Sequence, residues 1–157
     1  MSPPGIDLYT EFYGLTDALT AAQVPYAVCG GVAVAIHGYP RFTRDIDLLI
    51  LAEDEQRVRA VAASLQFVFE GGRMPVGSGG VTHWEIARVS KVTGNDLLML
   101  DLLVVGPQIQ SVWDSRGVAE FNGRKIPVVS REGLRTLKLI AGRKQDLLDL
   151  ELLGLAP

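Results

Sequence analysis

The sequence predicts an α/β domain built on a mixed sheet, and three observations carry that expectation. Some stretches repeat apolar residues at helical spacing, while others are short β-prone runs bounded by turn signals. Of the 157 residues 48% are hydrophobic, enough to bury a substantial core. No internal repeat, linker or low-complexity segment divides the chain, so residues 1–157 read as a single domain.

The elements follow in order. Leu8, Phe12, Leu15 and Leu19 place an amphipathic helix over residues 7–22, broken before Pro25. Tyr26 to Cys29 is a short strand. Gly30-Gly31 then turns into a helix of small residues, Val32 to His37, which Gly38 and Pro40 end. Asp45 to Leu51 is a strand. The acids Glu53, Asp54 and Glu55 suit the start of a helix that buries Val58, Val61, Ala62 and Leu65. Phe67 to Phe69 reads as a third strand. Residues 71–80 (GGRMPVGSGG) read as a mobile surface loop, with a substrate flap as the alternative, and they lack the Lys-Ser/Thr ending of a phosphate-binding P-loop. Val81 to Val89 and Leu97 to Val105 form strands joined at Thr93-Gly94-Asn95. Val118 to Phe121 and Lys125 to Val129 form a hairpin around Asn122-Gly123. Ser130 caps a helix carrying Leu134, Leu137 and Ile140, and a last helix runs from about Lys144 to Leu153, ended by Gly154.

Composition excludes several classes of function. A net charge of -3 argues against a protein that coats nucleic acid through a broad basic face. Basic residues still crowd one stretch, from Arg131 to Lys144, either as a solvated helix face or as a local site. No run approaches the roughly twenty apolar residues of a membrane helix. The start, Met1-Ser2-Pro3-Pro4, lacks the pattern of a signal peptide. The single cysteine, Cys29, excludes an internal disulfide, so the expectation is a soluble cytoplasmic protein. Two histidines, His37 and His83, and one cysteine cannot furnish a structural zinc site.

The chemistry-bearing residues are acids. Asp45 and Asp47 lie two apart on a strand, hence on one face, while Ile46, Leu48 and Ile50 face a core. Leu49 and Leu51 make this strand apolar on both faces beyond the acids, so it should be central. Two like charges there repel each other, and a divalent cation removes that cost. Asp101 lies within the apolar run Leu97–Val105, where an ionised carboxylate is costly unless an arginine or a shared metal pairs with it. Three carboxylates around hard cations suit phosphoryl transfer, with Mg²⁺ the default for an all-oxygen ligand set. Gly30-Gly31, between a strand and a helix, is a turn whose amides can approach a phosphate. Thirteen residues, 32 to 44, separate it from Asp45, enough for a short helix and a return loop.

Val28-Cys29-Gly30-Gly31, that spacer, and Asp45-Ile46-Asp47-Leu48 resemble the signature of the polymerase-β-like nucleotidyltransferase superfamily. The stretches Gly30-Gly31-Val32-Ala33 to His37-Gly38 and Arg41-Phe42-Thr43-Arg44-Asp45-Ile46-Asp47 are similar to AbiEii-type toxin nucleotidyltransferases. So are Leu134, Lys138, Ala141-Gly142-Arg143-Lys144-Gln145-Asp146 and Asp149. The resemblance spans about residues 24–153. It implies a mixed, mostly antiparallel sheet flanked by helices, and transfer of a nucleoside monophosphate from an NTP such as ATP to a hydroxyl on RNA, protein or a small molecule. It also implies that Asp45 and Asp47 bind two Mg²⁺ (or Mn²⁺) ions and that Asp101 completes the metal and catalytic set. Gly30 and Gly31 would hold the triphosphate, Lys138 would reach the phosphates, and Arg44 would add a second phosphate contact. Arg143 and Asp146 would support the site or pair with each other on the helix surface. In a toxin–antitoxin setting an antitoxin would be the partner. Many RNA-modifying relatives carry a further helical domain that does not follow here, which weighs against a large acceptor such as tRNA unless a partner or second copy supplies the surface. The alternative function is a non-catalytic module that binds a nucleotide or a partner with the same fold.

Overall fold

The first helix, α1 (Leu8–Ala21), starts at Asp7, whose carboxylate accepts the Thr10 backbone N–H and so satisfies one of the amides a helix start leaves free. Its buried Phe12, Leu15 and Leu19 lie on the sheet. Its exposed flank is tied to both ends of that sheet, Glu11 to Lys91 and Asp17 to Arg124. The computed structural model describes residues 5–78 and 80–156; the Met1–Pro4 start, read above for a leader, lies outside them.

β1 (Ala27–Cys29) runs through α2 (Gly30–Ile36) to β2 (Asp45–Ile50), which returns antiparallel beside it. A short 3-10 turn, Ala52–Asp54, then leads into α3 (Glu55–Ser64), which packs on α1. Next come β3 (Phe69–Ser78), β4 (Val81–Thr93) and β5 (Asp96–Val105), followed by a 3-10 turn, Pro107–Ile109, and α4 (Gln110–Asp114). β6 (Gly117–Phe121) and β7 (Arg124–Val128) form the expected hairpin, with Asn122 and Gly123 at φ 51° and 77° as a tight hairpin turn of this hand demands. The Ser130 hydroxyl accepts the Gly133 N–H at the start of α5 (Arg131–Ala141), and α6 (Lys144–Leu152) closes the described chain.

The seven strands stand in the order β3-β4-β5-β2-β1-β7-β6. β2 pairs parallel with β5 and β1 pairs parallel with β7, while the other pairs are antiparallel. The expected mixed, mostly antiparallel sheet flanked by helices is therefore what forms. β2 is central, and Ile46, Leu48, Leu49 and Ile50 are fully buried, as residues covered on both faces must be.

Two expectations are corrected. Most of residues 71–80 is not a loop: the third strand runs from Phe69 to Ser78 and pairs with β4. Gly71, Gly72 and Pro75 disguised it. They are tolerated because β3 is an edge strand whose register breaks between Glu70 and Arg73 and again at Val76 and Gly77. Gly71 has a positive reason too, since a Cβ there would lie 2.5 Å from Arg88 Cγ. The second correction is α4, which has no counterpart in the predicted elements. Among the described residues no helix is long and apolar enough to cross a membrane.

Candidate active site

Strand register assembles the site. Cys29 on β1 pairs with Asp47 on β2, Asp47 with Asp101 on β5, and Asp101 with Arg88 on β4. Residues directly opposite on neighbouring strands share a face, so these four stand in one row, with Asp45 two residues along β2 on the same face.

Arg88 holds both oxygens of Asp101, Nε to Oδ1 at 2.7 Å and Nη2 to Oδ2 at 2.9 Å. An arginine, one of the two partners the sequence allowed, thus pairs with Asp101. Asp45 Oδ1 is buried without a hydrogen-bond partner. Burial, and then the charges of Asp101 and Asp45, push the Asp47 carboxyl up to about 7. Burial and Asp101 also raise Asp45. Cys29 is fully buried, and burial followed by the Asp47 charge drives its thiol well above the usual range.

Among the described residues no three acid, histidine or cysteine side chains close into a preformed metal cage. The fit to a hard divalent cation rests instead on Asp45 and Asp47, all-oxygen donors on one strand face, one with an unpartnered buried oxygen and both destabilised as anions. A pH dependence follows. Both carboxyls have folded-state values above the ordinary 3.8, so the folded chain keeps protons that the unfolded chain releases. Their contribution to stability is complete below about 4 and is lost as pH rises toward 7. Relative to an Asp45→Asn/Asp47→Asn double variant, the Tm of the metal-free protein should fall across that window, with Mg²⁺ restoring part of the loss at pH 7.5. A wild-type-minus-variant difference that is flat or rises from pH 4 to 7 contradicts this picture of the acids.

Gly30 is where a side chain cannot go. Its φ is +65°, and a Cβ would overlap the Asp47 carboxylate. At Gly31 a Cβ would come within 2.6 Å of Thr43 Oγ1. The two glycines thus let the chain leave β1 pressed against the acids and the return segment.

On the other side, α5 and α6 meet in a buried ion network. Lys138 Nζ lies 2.8 Å from Asp149 Oδ2 and 3.3 Å from Asp146 Oδ1. Arg41, from the segment before β2, grips Asp149 with Nε and Nη2 at 2.7 and 2.9 Å. Arg143 bonds Asp146 at 2.8 Å, and its backbone N–H donates to the same carboxylate. Burial opposes ionisation of Asp146 and Asp149, yet these cationic partners win and hold both carboxyls below the usual range. Arg143 and Asp146 therefore pair, with Asp146 buried rather than on the helix surface, and both line the cleft.

All nine sequence-derived candidates, Gly30, Gly31, Arg44, Asp45, Asp47, Asp101, Lys138, Arg143 and Asp146, line one cleft of about 590 Å³. Arg44 lies at its rim over the exposed Phe42 ring. Sequence reasoning missed Arg88 as the Asp101 partner and Arg41 as the Asp149 partner. It also missed the apolar wall made by Met74, Val76, Trp84, Ile86 and Leu103. Arg88 had a signal, a lone charge on the strand face it shares with Trp84 and Ile86. His37, at the end of α2, bonds the Val129 carbonyl at 2.8 Å.

No family model matches the chain, and no curated protein matches it. Solved structures do. The lincosamide antibiotic adenylyltransferase LnuA, with lincomycin bound, is similar at 18% identity and TM-score 0.63 over 96% of this chain and 98% of that one. The antibiotic-resistance factor ANT(2'')-Ia is similar at 17% identity and TM-score 0.59, over 92% of this chain and 80% of that one. A candidate nucleotidyltransferase of Thermotoga maritima is similar at 17% identity and TM-score 0.59, over 91% and 89%. At these identities the likeness is one of fold, and the fold is that of nucleotidyltransferases.

Proposed function

We propose that this chain is a metal-dependent nucleotidyltransferase that moves a nucleoside monophosphate from an NTP to a hydroxyl. The observation that carries the reading is the pair Asp45 and Asp47, destabilised as anions and facing a cleft bounded by Gly30 and Gly31, within a nucleotidyltransferase fold. Asp45 and Asp47 would hold Mg²⁺, or Mn²⁺ in its place. A cation held there would supply neutralisation of phosphate charge and polarisation of the reacting phosphoryl group. Gly30 and Gly31, which line the cleft, would offer backbone amides to the triphosphate, with Arg44 and Arg143 as its cationic contacts at the rim. Lys138, held by Asp146 and Asp149, lies at the cleft floor. The acceptor oxygen attacks the α-phosphorus and its proton passes to Asp101, which Arg88 orients. The bond from the α-phosphorus to the bridging oxygen breaks, and pyrophosphate leaves.

LnuA and ANT(2'')-Ia, as antibiotic adenylyltransferases, support ATP and a small-molecule acceptor. The motif resemblance to AbiEii-type toxins supports a cellular RNA or protein acceptor and an antitoxin partner. One observation favours a non-catalytic binding module: Arg88 already occupies both oxygens of Asp101.

The test is transfer of label from each α-labelled NTP, with Mg²⁺ or EDTA, to total RNA, to a cell lysate and to lincomycin. Transfer that needs Mg²⁺ and disappears in an Asp45→Ala/Asp47→Ala double variant is the expected result. Mg²⁺-dependent NTP binding without transfer to any acceptor supports the binding module, and absence of both overturns the two readings together.

A further inference from the structure

We propose that the β3–β5 wall of the cleft is the acceptor subsite and that it takes a hydroxylated small molecule with an apolar body and no anionic group. This rests on the nucleotidyltransferase reading and names what the other half of the same cleft binds.

The wall is one continuous patch of sheet. Met74 pairs with Ile86 and Val76 with Trp84 across β3 and β4, and Ile86 pairs with Leu103 across β4 and β5. All five side chains border the cleft. On β3 the alternation is visible in exposure, for Met74 and Val76 are half-buried between exposed Arg73, Pro75 and Gly77. Leu103 and Ile86 are each two residues from Asp101 and Arg88 on their own strands, on the same face, a separation of about 7 Å. An apolar body resting on the wall therefore places a hydroxyl within reach of Asp101.

Charge decides what kind of acceptor fits. Arg41, Arg44, Lys138 and Arg143 enter the cleft from the segment before β2 and from the α5–α6 junction. On the wall side the cleft's one cation among the described residues is Arg88, and Asp101 already engages it through two hydrogen bonds. Phosphates of an RNA strand need cationic partners to bind, and this wall offers them none. The indole Nε1–H of Trp84 is buried without a partner among the described residues. A cleft of about 590 Å³ is in the range that holds small molecules.

The test uses calorimetric titration of the full chain with Mg²⁺ and a non-hydrolysable ATP analogue present. The probes are octyl, phenyl and p-nitrophenyl glycosides, the matching free sugars, and a single-stranded RNA oligonucleotide. The glycosides should bind at least about tenfold tighter than the free sugars, the scale expected for burying a few methylenes. Val76→Asp should weaken glycoside binding by about tenfold or more, because it sets a charge in the apolar patch. In the same variant, Mg²⁺·ATP-analogue binding and the circular dichroism spectrum should be unchanged, which separates loss of the wall from loss of the fold. Val118→Asp, on the exposed edge strand at the far end of the sheet, should leave glycoside binding alone. Free sugars binding as well as glycosides, RNA binding more tightly than either, or a Val76→Asp variant that keeps its glycoside affinity would each overturn the proposal. A wild-type chain that binds no Mg²⁺·ATP analogue overturns the nucleotidyltransferase reading, read out separately from the wall.

Discussion

An Asp47→Asn variant is expected to lose transfer activity while its metal-free form becomes more stable. The amide keeps the shape of the side chain and removes the charge that burial, Asp101 and Asp45 all oppose. Because Asp47 opens on the cleft, solvent reduces the gain to on the order of 1–3 kcal/mol at pH 8, or a few degrees in Tm. At pH 5 the difference should vanish, since a carboxyl with a value of about 7 is already protonated there. Transfer should fall by about a thousandfold or more, some 4 kcal/mol of barrier, and stabilisation by Mg²⁺ should disappear with it. Side-by-side melts at both pH values and a label-transfer assay check all three effects. A variant that is less stable at pH 8 and retains activity would make Asp47 a structural residue.

Asp149→Ala should produce the largest loss of stability. Asp149 is fully buried and is met by Arg41, Lys138 and Gln145. Removing it leaves Lys138 and Arg41 as buried or half-buried cations with one acid fewer to face, a change of about 3–5 kcal/mol. For a chain of this size that is roughly 10 °C in Tm. A Lys138→Met change made on top of it should cost far less than the same change in the wild type, because the two residues share one network. A melting point within about 2 °C of wild type would show that water carries these charges instead. The network also anchors Arg41, and with it the segment that brings Thr43 against Gly31, so nucleotide affinity should fall in the same variant.

What the sequence made legible depended on periodicity. β2, β4, β5 and the β6–β7 hairpin alternate or run apolar between clear turns, and α1, α3 and α5 repeat at helical spacing, so these were read close to where they lie. β3 was not, because its glycines and proline break every local signal. Its ladder with β4 comes from tertiary pairing, which overrides weak propensity at an edge. The acceptor wall was lost with it, since Met74 and Val76 were assigned to a loop. α4 did carry a signal in Ile109, Val112 and Trp113, spaced as one helical face, but a five-residue helix offers too few turns for the pattern to rise above its surroundings.

The candidate site divides in the same way. The acids and the glycine pair were readable because their chemistry is local: Asp45 and Asp47 sit on one strand, and Gly30 and Gly31 are adjacent. Asp101 was readable from the cost of a charge in an apolar run. Its partner was not, because choosing Arg88 requires the register of β4 on β5. Arg41 finds Asp149 across 108 residues of sequence, a pairing that only the folded chain defines.

Cys29 makes this protein a convenient subject for labelling. The chain's one thiol lies fully buried beside Asp47, where burial and a neighbouring anion both disfavour the reactive thiolate. A maleimide dye will therefore pass it by in the folded state, and a new surface cysteine can be derivatised without deleting the native one. The same silence turns into a clock under stress. Each molecule in which β1 pulls away from β2 exposes Cys29, so the uptake of iodoacetamide counts openings of the sheet at the point where the acids meet.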